Sequence, residues 1–570
     1  MIEILEELHE QDLIADIDWH FARLMARFDG DERPDVALAA ALASVRTRRG
    51  HVCLDLARFA GGSLAAVLED GAVGDGDCPA YTLPSLADWR CSLLASPVVA
   101  GSDGEEPAPL VLDDAGRLYL ARYRDAERNV ASRLIAMAQA EEPVSGAEPM
   151  LERLFQGRNP DQRRAVEAAL RRRLCVVTGG PGTGKTFVAA RIIALLLDRG
   201  LAKPERIALA APTGKAAARL QESVSDQVAE ILPKVPALDG YEATASTVHR
   251  LLYRVRGDSL PVDAVILDEA SMVDLALMAR LVAVLPANAR MVVLGDAHQL
   301  SSVQPGAVMG DLCDAAAAPG SPLHGCLVAL TESHRFEKDS GIGRLADAIV
   351  TGNAAAALGA LRDRRDTQTE LLPLADETAF ERLAEHQATE FWAPCLRDPR
   401  TTPFPKLRVL CGHRHGPFGT YRFNRLVETE LRQLGLVGRD EFYLGRPIIV
   451  TRNDGATGLS NGDTGVVVDH EDGRRVWFPD LRRSDGQPFE VSPARLPDHD
   501  SFFALTVHRA QGSEYDEVAF VPGPADSRVV TRELFYTAVT RARDRVTVYG
   551  SQESVTSAVE RSTNRIGGLE

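Results

Sequence analysis

The sequence lacks any apolar run of the roughly twenty residues that a helix needs to cross a bilayer. Its first residues, MIEILEELHEQDLIADIDWHF, are acidic and do not have the basic-then-apolar layout of a signal peptide. We therefore expect a cytoplasmic protein. Aromatic residues are few, at 6%, but 45% of the residues are hydrophobic, so a packed globular chain is expected. Its 570 residues are too many for a single core and predict several domains.

The sequence also lacks the closely paired cysteines that bind zinc. None of its eight cysteines is spaced as CxxC from another; they stand at positions 53, 78, 91, 175, 313, 326, 395 and 411. Several lie inside apolar runs, as Cys175 does in LCVVTG, so we expect small buried side chains. The pattern predicts neither a zinc site nor a disulfide framework.

Positive charge is scarce for a protein that binds nucleic acid. Lys and Arg total 64 against 81 Asp and Glu, which gives a formal net charge of −17. A basic surface is the usual electrostatic mark of phosphate binding, so the bulk charge alone argues against nucleic acid. If motifs indicate such binding, either the contact is a local groove on an acidic body or other subunits supply part of it.

Short apolar runs alternate with helical patterns in two regions of the chain. From 159 to 349 the runs are LCVVTG (174–179), RIALAA (206–211), AVILDE (264–269), MVVLGD (291–296) and LVALTE (327–332). Apolar strands separated by helices indicate a parallel sheet covered on both faces, so we predict a RecA-like α/β domain. A second such region has LRVLCG (407–412), SFFALTVHR (501–509), DEVAFVP (516–522) and RVTVYG (545–550).

Two regions depart from this alternation. Residues 447–480 combine apolar runs with Gly and Asp turns and predict a small antiparallel β-barrel insertion. Residues 1–145 show short helical patterns, the last of them at 118–140, and predict a mainly helical domain. The stretch EEPVSGAEP (141–149) has no periodicity and predicts a linker. We therefore divide the chain into an N-terminal domain (1–145), a first RecA-like domain (146–355), the start of a second (356–444), the insertion (445–500) and the remainder of the second (501–570).

A nucleotide-binding motif lies between the first predicted strand and a helix. GGPGTGKT fits GxxxxGK[ST] and connects LCVVT to the helical run TFVAARIIALLLDRG. Its glycines allow backbone N–H groups to face phosphate oxygens, and the helix N-terminus adds positive potential. We expect Lys185 to contact the β- and γ-phosphates of ATP and Thr186 to bind Mg²⁺. The predicted phosphate cradle comprises Gly179, Gly180, Pro181, Gly182, Thr183, Gly184, Lys185 and Thr186.

Two further patterns complete the predicted nucleotide site. AVILDEA predicts a strand that ends in Asp268, a ligand of Mg²⁺, and Glu269, which would orient or deprotonate the attacking water. This carboxylate pair favours hydrolysis over a kinase reaction. In NPDQ, Gln162 offers a two-sided amide for reading adenine. Asn159 as cap and Pro160 at the first helical position also fit an ordinary helix start, and both interpretations can hold together.

The order of these and other motifs resembles that of the superfamily 1 helicases. LGDAHQLSSVQPG is similar to motif III of that superfamily, and NPDQ is similar to its Q motif. APTGKAAARL (211–220) resembles motif Ia, and STVHRLL (246–252) resembles the next DNA-contacting motif. LTESHRF (330–336) resembles motif IV, ALTVHRAQGSEYDEV (504–518) resembles motif V, and LFYTAVTRAR (534–543) resembles motif VI. The number of ordered blocks makes this resemblance specific.

The resemblance implies roles for residues that would be unremarkable alone. Gln299 would sense the γ-phosphate, and Glu514 matches a position expected to touch the nucleotide sugar. Arg335 and Arg541 match the two γ-phosphate arginines of the superfamily, although each alone would more often be a surface residue. Hydroxyls, backbone amides and one lysine suit a track that grips phosphates without reading bases. The residues that match single-stranded DNA contacts are Pro212, Thr213, Lys215, Thr247, His249, Thr506 and His508.

Three further stretches resemble the RecD family within that superfamily, namely GHVCLDL (50–56), LCGHRHGPFGTYRFN (410–424) and GRPIIVTRNDGATGLSNGDTGVV (445–467). This implies a 5′-to-3′ DNA helicase in an exodeoxyribonuclease V-type complex that processes double-strand DNA ends for recombinational repair. Its partners would be a RecB-like helicase–nuclease and a RecC-like scaffold in a heterotrimer, with the N-terminal domain docking on the scaffold. The insertion would be SH3-like. We see no nuclease motif, so cleavage is expected of a partner.

A stand-alone 5′-to-3′ DNA helicase is the alternative that the sequence leaves open. Stand-alone relatives would have an extended N-terminal region, which is not expected here. A subunit with a vestigial ATPase is a further alternative, but the six intact ATP-handling residues argue against it. Membership of a complex would also account for the acidic charge, because the DNA path on this chain can then be short.

Overall fold

Four β-sheets organise the part of the chain that the computed structural model describes. The described residues are 2–30, 33–69, 78–102, 107–141, 146–156, 159–333, 335, 340–482, 486–563 and 565–569. His334 of the LTESHRF block and residues 142–145 of the predicted linker lie outside them. No helix among the described residues is long and apolar enough to span a membrane.

The first parallel sheet has six strands, all of them parallel. In spatial order they are Leu327–Ala329, Leu174–Thr178, Arg290–Gly295, Ala264–Leu267, Ile207–Ala211 and Ala245–Thr247. Five were predicted from apolar runs, whereas Ala245–Thr247 was missed because Ala-Ser-Thr is not such a run. The helices around this sheet are Glu148–Phe155, Pro160–Arg171, Lys185–Asp198, Gly214–Ile231, Val248–Leu252, Leu275–Ala283 and Val308–Ala317.

The second parallel sheet has five strands, in the order Thr369–Leu372, Ala542–Tyr549, Tyr515–Val521, Leu407–Cys411 and Ala504–Thr506. The strand Thr369–Leu372 was missed because only two of its four residues, Leu371 and Leu372, are apolar. The α-helices of this region are Gly341–Val350, Ala354–Arg362, Glu377–His386, Ala393–Arg397, Thr420–Gln433, Arg532–Val539 and Gln552–Glu560. The two parallel α/β sheets agree with the predicted RecA-like fold.

An antiparallel sheet of five strands interrupts the second α/β region. Its order is Pro488–Val491, Gly473–Arg482, Thr464–His470, Pro447–Val450 and His499–Ser501. It has a hydrophobic cluster of its own that includes Ile448, Val467, Val476 and Phe478. The antiparallel insertion predicted from 447–480 is therefore present, and it gains two strands beyond the predicted stretch.

The N-terminal region contains a four-stranded sheet that the sequence patterns did not predict. Its strands, in order, are Cys53–Asp55, Arg117–Leu120, Leu110–Leu112 and Val99–Gly101. The helix expected at 118–140 begins only at Ala121, because the preceding residues pair as a strand. The helices of this region are Ile2–Glu10, Asp16–Asp29, Pro34–Arg48, Leu56–Phe59, Leu64–Glu69, Leu86–Leu94 and Ala121–Gln139.

The last N-terminal helix packs on the first parallel sheet region. Val130 and Leu134 of Ala121–Gln139 share one hydrophobic cluster with Leu277 and Leu281 of the helix Leu275–Ala283. The N-terminal region and the first α/β region are thus joined by a common core, because the apolar face of this long helix is buried there.

The cysteines agree only in part with the prediction of buried thiols. Six are buried, but Cys91 is exposed and Cys78 is partly exposed. Cys91 lies in the helix Leu86–Leu94, which buries Trp89 and Leu93 instead. Among the described residues, no group of three or more His, Cys, Asp or Glu side chains is arranged to hold a metal ion.

Candidate functional site

The carboxyl edge of the first parallel sheet carries the predicted nucleotide residues. The GGPGTGKT loop, Asp268 and Gln299 follow three neighbouring strands, and the carboxyl ends of parallel strands meet at one edge. Residues from the second α/β region complete a cleft of about 300 Å³. Its walls include Gly182, Gly184, Lys185, Thr186, Arg219, Asp268, Glu269, Gln299, Arg335, Gly512, Glu514 and Arg541.

The loop GGPGTGKT needs its glycines for conformation and for space. Gly182 and Gly184 have φ of 78° and 87°, in the left-handed region that favours glycine. A Cβ at Gly182 would collide with Arg335, and a Cβ at Gly184 would collide with the amide of Gln162. Lys185 lies inside the loop, where its Nζ donates to the carbonyl oxygens of Gly179 (2.7 Å) and Gly180 (3.1 Å).

Gln162 lies directly against the phosphate loop. Its Nε2 donates to the carbonyl oxygen of Thr183 at 2.9 Å, and the side chain is buried. The helix begins at Pro160, as predicted, but the side chain of Asn159 makes no capping hydrogen bond to it. Asn159 instead adopts a left-handed backbone with φ of 53°, which asparagine tolerates better than most residues.

The carboxylates Asp268 and Glu269 stand together at the end of their strand. Burial raises the pKa of Asp268, and the neighbouring charge of Glu269 raises it further, while Lys185 acts in the opposite direction. Glu269 has φ of 50°, a strained conformation for a non-glycine residue. Strain of this kind persists where the surrounding structure fixes a side chain, and here it turns Glu269 into the cleft.

Gln299 is linked to the second α/β region through a buried carboxylate. Its Nε2 donates to Oδ2 of Asp296 at 3.2 Å, and the hydroxyl of Tyr536 donates to the same oxygen at 3.0 Å. Burial and the adjacent Asp296 raise the pKa of Tyr536 well above its usual value, so the phenol stays a donor. Asp296 and Tyr536 were not among the predicted site residues, although each stands inside a recognised block.

An arginine cluster surrounds Glu514 at the boundary of the two α/β regions. The Glu514 carboxylate accepts from Arg335 (2.7 Å) and pairs with Arg219 (2.9 Å) and Arg543 (3.2 Å). Burial alone would raise the pKa of Glu514, but the attraction of Arg219 and Arg335 lowers it to about 2. Arg219 was not predicted, although it stands inside the block APTGKAAARL; it lies one helical turn after Lys215 and lines the ATP cleft.

Arg541 is the buried cation of the cleft. Its exposed fraction is 3%, and its guanidinium donates to the carbonyl oxygens of Thr537 and Ser513, each at 3.3 Å. Backbone carbonyls hold the side chain in place without neutralising its charge. Arg541 therefore presents a positive charge to the cleft from the second α/β region.

The predicted DNA-contact residues occupy the carboxyl edges of both parallel sheets. Thr213 and Thr247 follow adjacent strands, and their hydroxyls accept from the backbone N–H groups of Ala216 and Arg250 as helix caps. Pro212 precedes Thr213, and His249 is exposed, not packed. Thr506 ends the edge strand of the second sheet, and His508 follows it.

Lys215 faces the antiparallel insertion. It lines a cleft of about 520 Å³ together with Ser460, Asp463 and Asp480. Burial raises the pKa of Asp463, and the charge of Lys215 opposes that rise. The insertion thus faces the helix Gly214–Ile231 at the point where the predicted DNA track begins.

Comparisons with known proteins identify the family of this chain. The model described as RecBCD enzyme subunit RecD, N-terminal domain, matches residues 10–119; AAA domain matches 157–369 and UvrD-like helicase C-terminal domain matches 501–549. The RecBCD enzyme subunit RecD of Mycobacterium tuberculosis is 40% identical, over 97% of this chain and 93% of that protein. The chain belongs to the RecD family. The identification as a superfamily 1 DNA helicase is thereby confirmed.

Two other relatives are also similar to this RecD-family chain. The RecBCD enzyme subunit RecD of Haemophilus influenzae is 28% identical, over 100% of this chain and 99% of that protein. The ATP-dependent RecD2 DNA helicase of Deinococcus radiodurans is 31% identical, over 95% of this chain but only 69% of that protein. Among solved structures, Pif1 helicase from Candida albicans has a TM-score of 0.37 and 16% identity, over 70% of this chain and 96% of that chain.

The raised pKa of Asp268 predicts that Asp268→Asn stabilises the protein. The pKa of Asp268 in the folded protein is about 6, above the unfolded value of 3.8. Ionisation of Asp268 therefore lowers the stability of the folded protein as pH rises from 3.8 through about 6, and the whole loss is present at neutral pH. A neutral amide avoids that cost. We expect the melting temperature at pH 7.5 to rise by about 2–4 °C in calorimetry.

Asp274→Asn is the matched control. Asp274 caps the helix Leu275–Ala283 by accepting from the N–H of Leu277 at 2.8 Å, and asparagine caps helices about as well as aspartate. The control should leave the melting temperature unchanged. An unchanged or lower value for Asp268→Asn would show that Asp268 carries no unfavourable charge at neutral pH.

Proposed function

We propose that this chain is the ATP-dependent 5′-to-3′ DNA helicase subunit of a RecBCD-type complex that processes double-strand DNA ends for recombinational repair, with DNA cleavage left to a partner. One observation carries the proposal. Residues from both parallel sheets line one cleft built around a phosphate-binding loop, and residues that match DNA contacts lie at the carboxyl edges of the same two sheets. A change in that cleft can therefore move the two DNA-contacting edges relative to each other.

The cleft fits ATP and Mg²⁺. The Thr186 hydroxyl and the Asp268 carboxylate both line it, and oxygen ligands of this kind, with phosphate oxygens, are what Mg²⁺ prefers. Bound there, the ion would neutralise phosphate charge. Lys185 would exchange its contacts with the loop carbonyls for β- and γ-phosphate oxygens, and Glu269 would accept a proton from the attacking water.

Arg335 and Arg541 would stabilise the charge that develops on the γ-phosphate. Arg335 lines the cleft beside Gly182 of the loop, and Arg541 lines it from the second α/β region. Both would act on the phosphate as arginine fingers do. Arg335 is held by Glu514, which also binds Arg219 of the first α/β region. Glu514 would thus hold these arginines in place in addition to the sugar contact expected from the resemblance.

The DNA track is proposed to run along the two carboxyl edges. Thr213, Thr247, Thr506 and His508 offer hydroxyl, backbone and imidazole groups to a phosphate backbone. Gly512, in the loop after His508, contacts the helix Gly214–Ile231, because its carbonyl oxygen accepts from Nη1 of Arg219 at 2.8 Å. The track and the ATP cleft therefore share this helix.

The N-terminal region is proposed to dock on a RecC-like scaffold, and the insertion to be SH3-like. In the helix Asp16–Asp29, Ile17, Leu24 and Phe28 are 63%, 44% and 59% exposed. Their spacing of seven and four residues places them on one helical face. A contiguous apolar stripe of this kind is typical of a protein interface. The division into five segments given above is proposed with it.

Co-expression with RecB-like and RecC-like chains tests the proposed assembly. We expect a stable complex containing one copy of each chain, measured by size-exclusion chromatography with light scattering. The stand-alone helicase is the second candidate because the RecD2 helicase of Deinococcus radiodurans is also similar. A chain that stays monomeric beside both partners and unwinds DNA fully alone would favour that candidate.

The exposed stripe predicts a sharper result for docking. In the double variant Ile17→Asp, Phe28→Asp, two charged side chains replace apolar side chains of the stripe. We expect the affinity for the RecC-like chain to fall by roughly thirtyfold or more, measured by calorimetric titration. Leu94→Asp is the matched control, because Leu94 is 48% exposed in the same region but outside the stripe. Equal binding by both variants would place the interface elsewhere.

A further inference from the structure

The segment made up of residues 561–563 and 565–569 contacts three parts of the molecule. At its start it is held by the second α/β region: the Thr563 backbone N–H donates to Glu533 at 3.0 Å, and its hydroxyl bonds that of Thr531 at 3.1 Å. Two positions later, Arg565 contacts the first α/β region. The segment then continues along the N-terminal sheet.

Backbone hydrogen bonds fix the end of this segment to the N-terminal region. The Ile566 N–H donates to Nδ1 of His51 at 3.0 Å, and the Val52 N–H donates to the Ile566 carbonyl at 2.8 Å. Further along, the Gly568 N–H donates to Glu127 at 2.6 Å. Ile566 and Leu569 also pack against the hydrophobic cluster that joins the N-terminal helix to the first α/β region.

Arg565 holds the far end of the loop that carries Gln299. We define this Gln299 loop as residues 296–307. The guanidinium Nη1 of Arg565 donates to the carbonyl oxygens of Gln304 and Gly306, each at 3.0 Å. The Gly306 N–H in turn donates to the carbonyl oxygen of Gly50 in the N-terminal region at 3.0 Å. The loop therefore reaches from the ATP cleft to a junction of all three regions.

The middle of the Gln299 loop is held by the second α/β region. The Leu300 N–H donates to the hydroxyl of Thr537 at 2.9 Å, and Nε2 of Gln511 donates to the Leu300 carbonyl at 3.1 Å. Gln511 follows His508 in the block that resembles motif V. A displacement of the loop would thus move Gln299 in the cleft, and it would also move the backbone next to His508, a predicted DNA contact.

The Arg565 position is built for a close approach. Gly50 has φ of 92°, and a Cβ there would lie 2.8 Å from Cζ of Arg565, so the backbone must be glycine for the guanidinium to reach the loop. Burial lowers the pKa of Arg565 below its usual range. Burial also lowers the pKa of His508, and the charge of Arg565 lowers it further. Arg565 therefore contacts the loop directly and acts on His508 through its charge.

We propose that Arg565 is a positioning residue for ATP hydrolysis: it fixes the far end of the Gln299 loop to the N-terminal region, so that DNA binding and partner docking act on Gln299 in the ATP cleft. This inference rests on the proposed function. Arg565 does not touch ATP or the reacting atoms. It acts through the loop, by holding the carbonyl oxygens of Gln304 and Gly306.

The test compares Arg565→Ala with Arg565→Lys in the full complex, with an ATPase-inactive RecB-like subunit. The readout is the ratio of ATP turnover with and without single-stranded DNA, together with KM for ATP. We expect Arg565→Ala to lower the ratio about fivefold, a usual size for a coupling residue, with KM for ATP changed less than about twofold. Arg565→Lys keeps a donor and should restore most of the ratio. Arg364→Ala, at an exposed arginine of the second α/β region, should match wild type.

The ratio separates positioning from a merely structural role. Partial unfolding would lower the turnover with and without DNA equally and leave the ratio unchanged, and that result would overturn the proposal. The proposal would also be overturned if Arg565→Lys did not restore the ratio. If Arg565→Ala does not fold, Arg565→Gln retains most of the volume and is judged by the same fivefold criterion. If DNA does not stimulate ATP turnover by the wild-type chain, the proposed function itself fails. If DNA stimulates turnover by the wild type and by Arg565→Ala to the same extent, only the inference about Arg565 is rejected.

Discussion

Lys185→Ala should lower DNA-stimulated ATP turnover by at least about a hundredfold, because it removes the cation that we propose contacts the β- and γ-phosphates. Lys185 lies within the loop and donates to the carbonyl oxygens of Gly179 and Gly180. The loop backbone depends on Gly182 and Gly184, which the substitution does not touch. The fold should therefore persist, and the loss should be one of chemistry.

Turnover is measured in the complex with an ATPase-inactive RecB-like subunit, since a second motor would otherwise mask the loss. Lys203→Ala is the matched control, because Lys203 is exposed in the same α/β region, after the helix that Lys185 begins. The control should retain full turnover. Turnover by Lys185→Ala within twofold of wild type would mean that hydrolysis does not occur in this cleft.

Arg541→Ala should lower turnover by about a thousandfold, the effect usually found for an arginine finger. Arg541 is buried and held by two backbone carbonyl oxygens, so its charge is already placed when phosphate arrives. Because its contribution arises as charge develops in the transition state, we expect kcat to fall while KM for ATP changes little.

Arg543→Ala provides the comparison within the same block. Arg543 is half exposed and pairs with Glu514, which Arg219 and Arg335 also neutralise. Solvent screens such a pair, so we expect turnover to change less than about threefold. Equal losses in the two variants would indicate damage to the helix Arg532–Val539 and the loop after it, not the loss of a specific charge.

The parallel sheets and the phosphate loop were predictable because each has a strong local signal. Strands such as Leu174–Thr178 are uninterrupted apolar runs, and a buried parallel strand requires that composition. The short strands Ala245–Thr247 and Thr369–Leu372 lack such runs and depend on pairing with their neighbours. The N-terminal sheet was missed for the same reason, since its strands have only three or four residues.

The candidate site was predictable where residues act close to their own motif, as Lys185 and Asp268 do. Contacts between distant parts of the chain were not, because a pairwise contact leaves no periodic pattern. The ion pair of Arg219 with Glu514 joins residues from different α/β regions, and so does the hydrogen bond between Tyr536 and Asp296. The junction at Arg565 is a further case, since a lone arginine after the last helix carries no local signal.

The most direct measurement of the central claim is unwinding of duplexes that carry a single-stranded tail at either the 5′ or the 3′ end. The complex with an ATPase-inactive RecB-like subunit is used, with wild-type chain and with Lys185→Ala side by side. We predict ATP-dependent unwinding from 5′ tails by the wild-type chain and none by the variant. Unwinding only from 3′ tails, or equal unwinding by Lys185→Ala, would contradict the account.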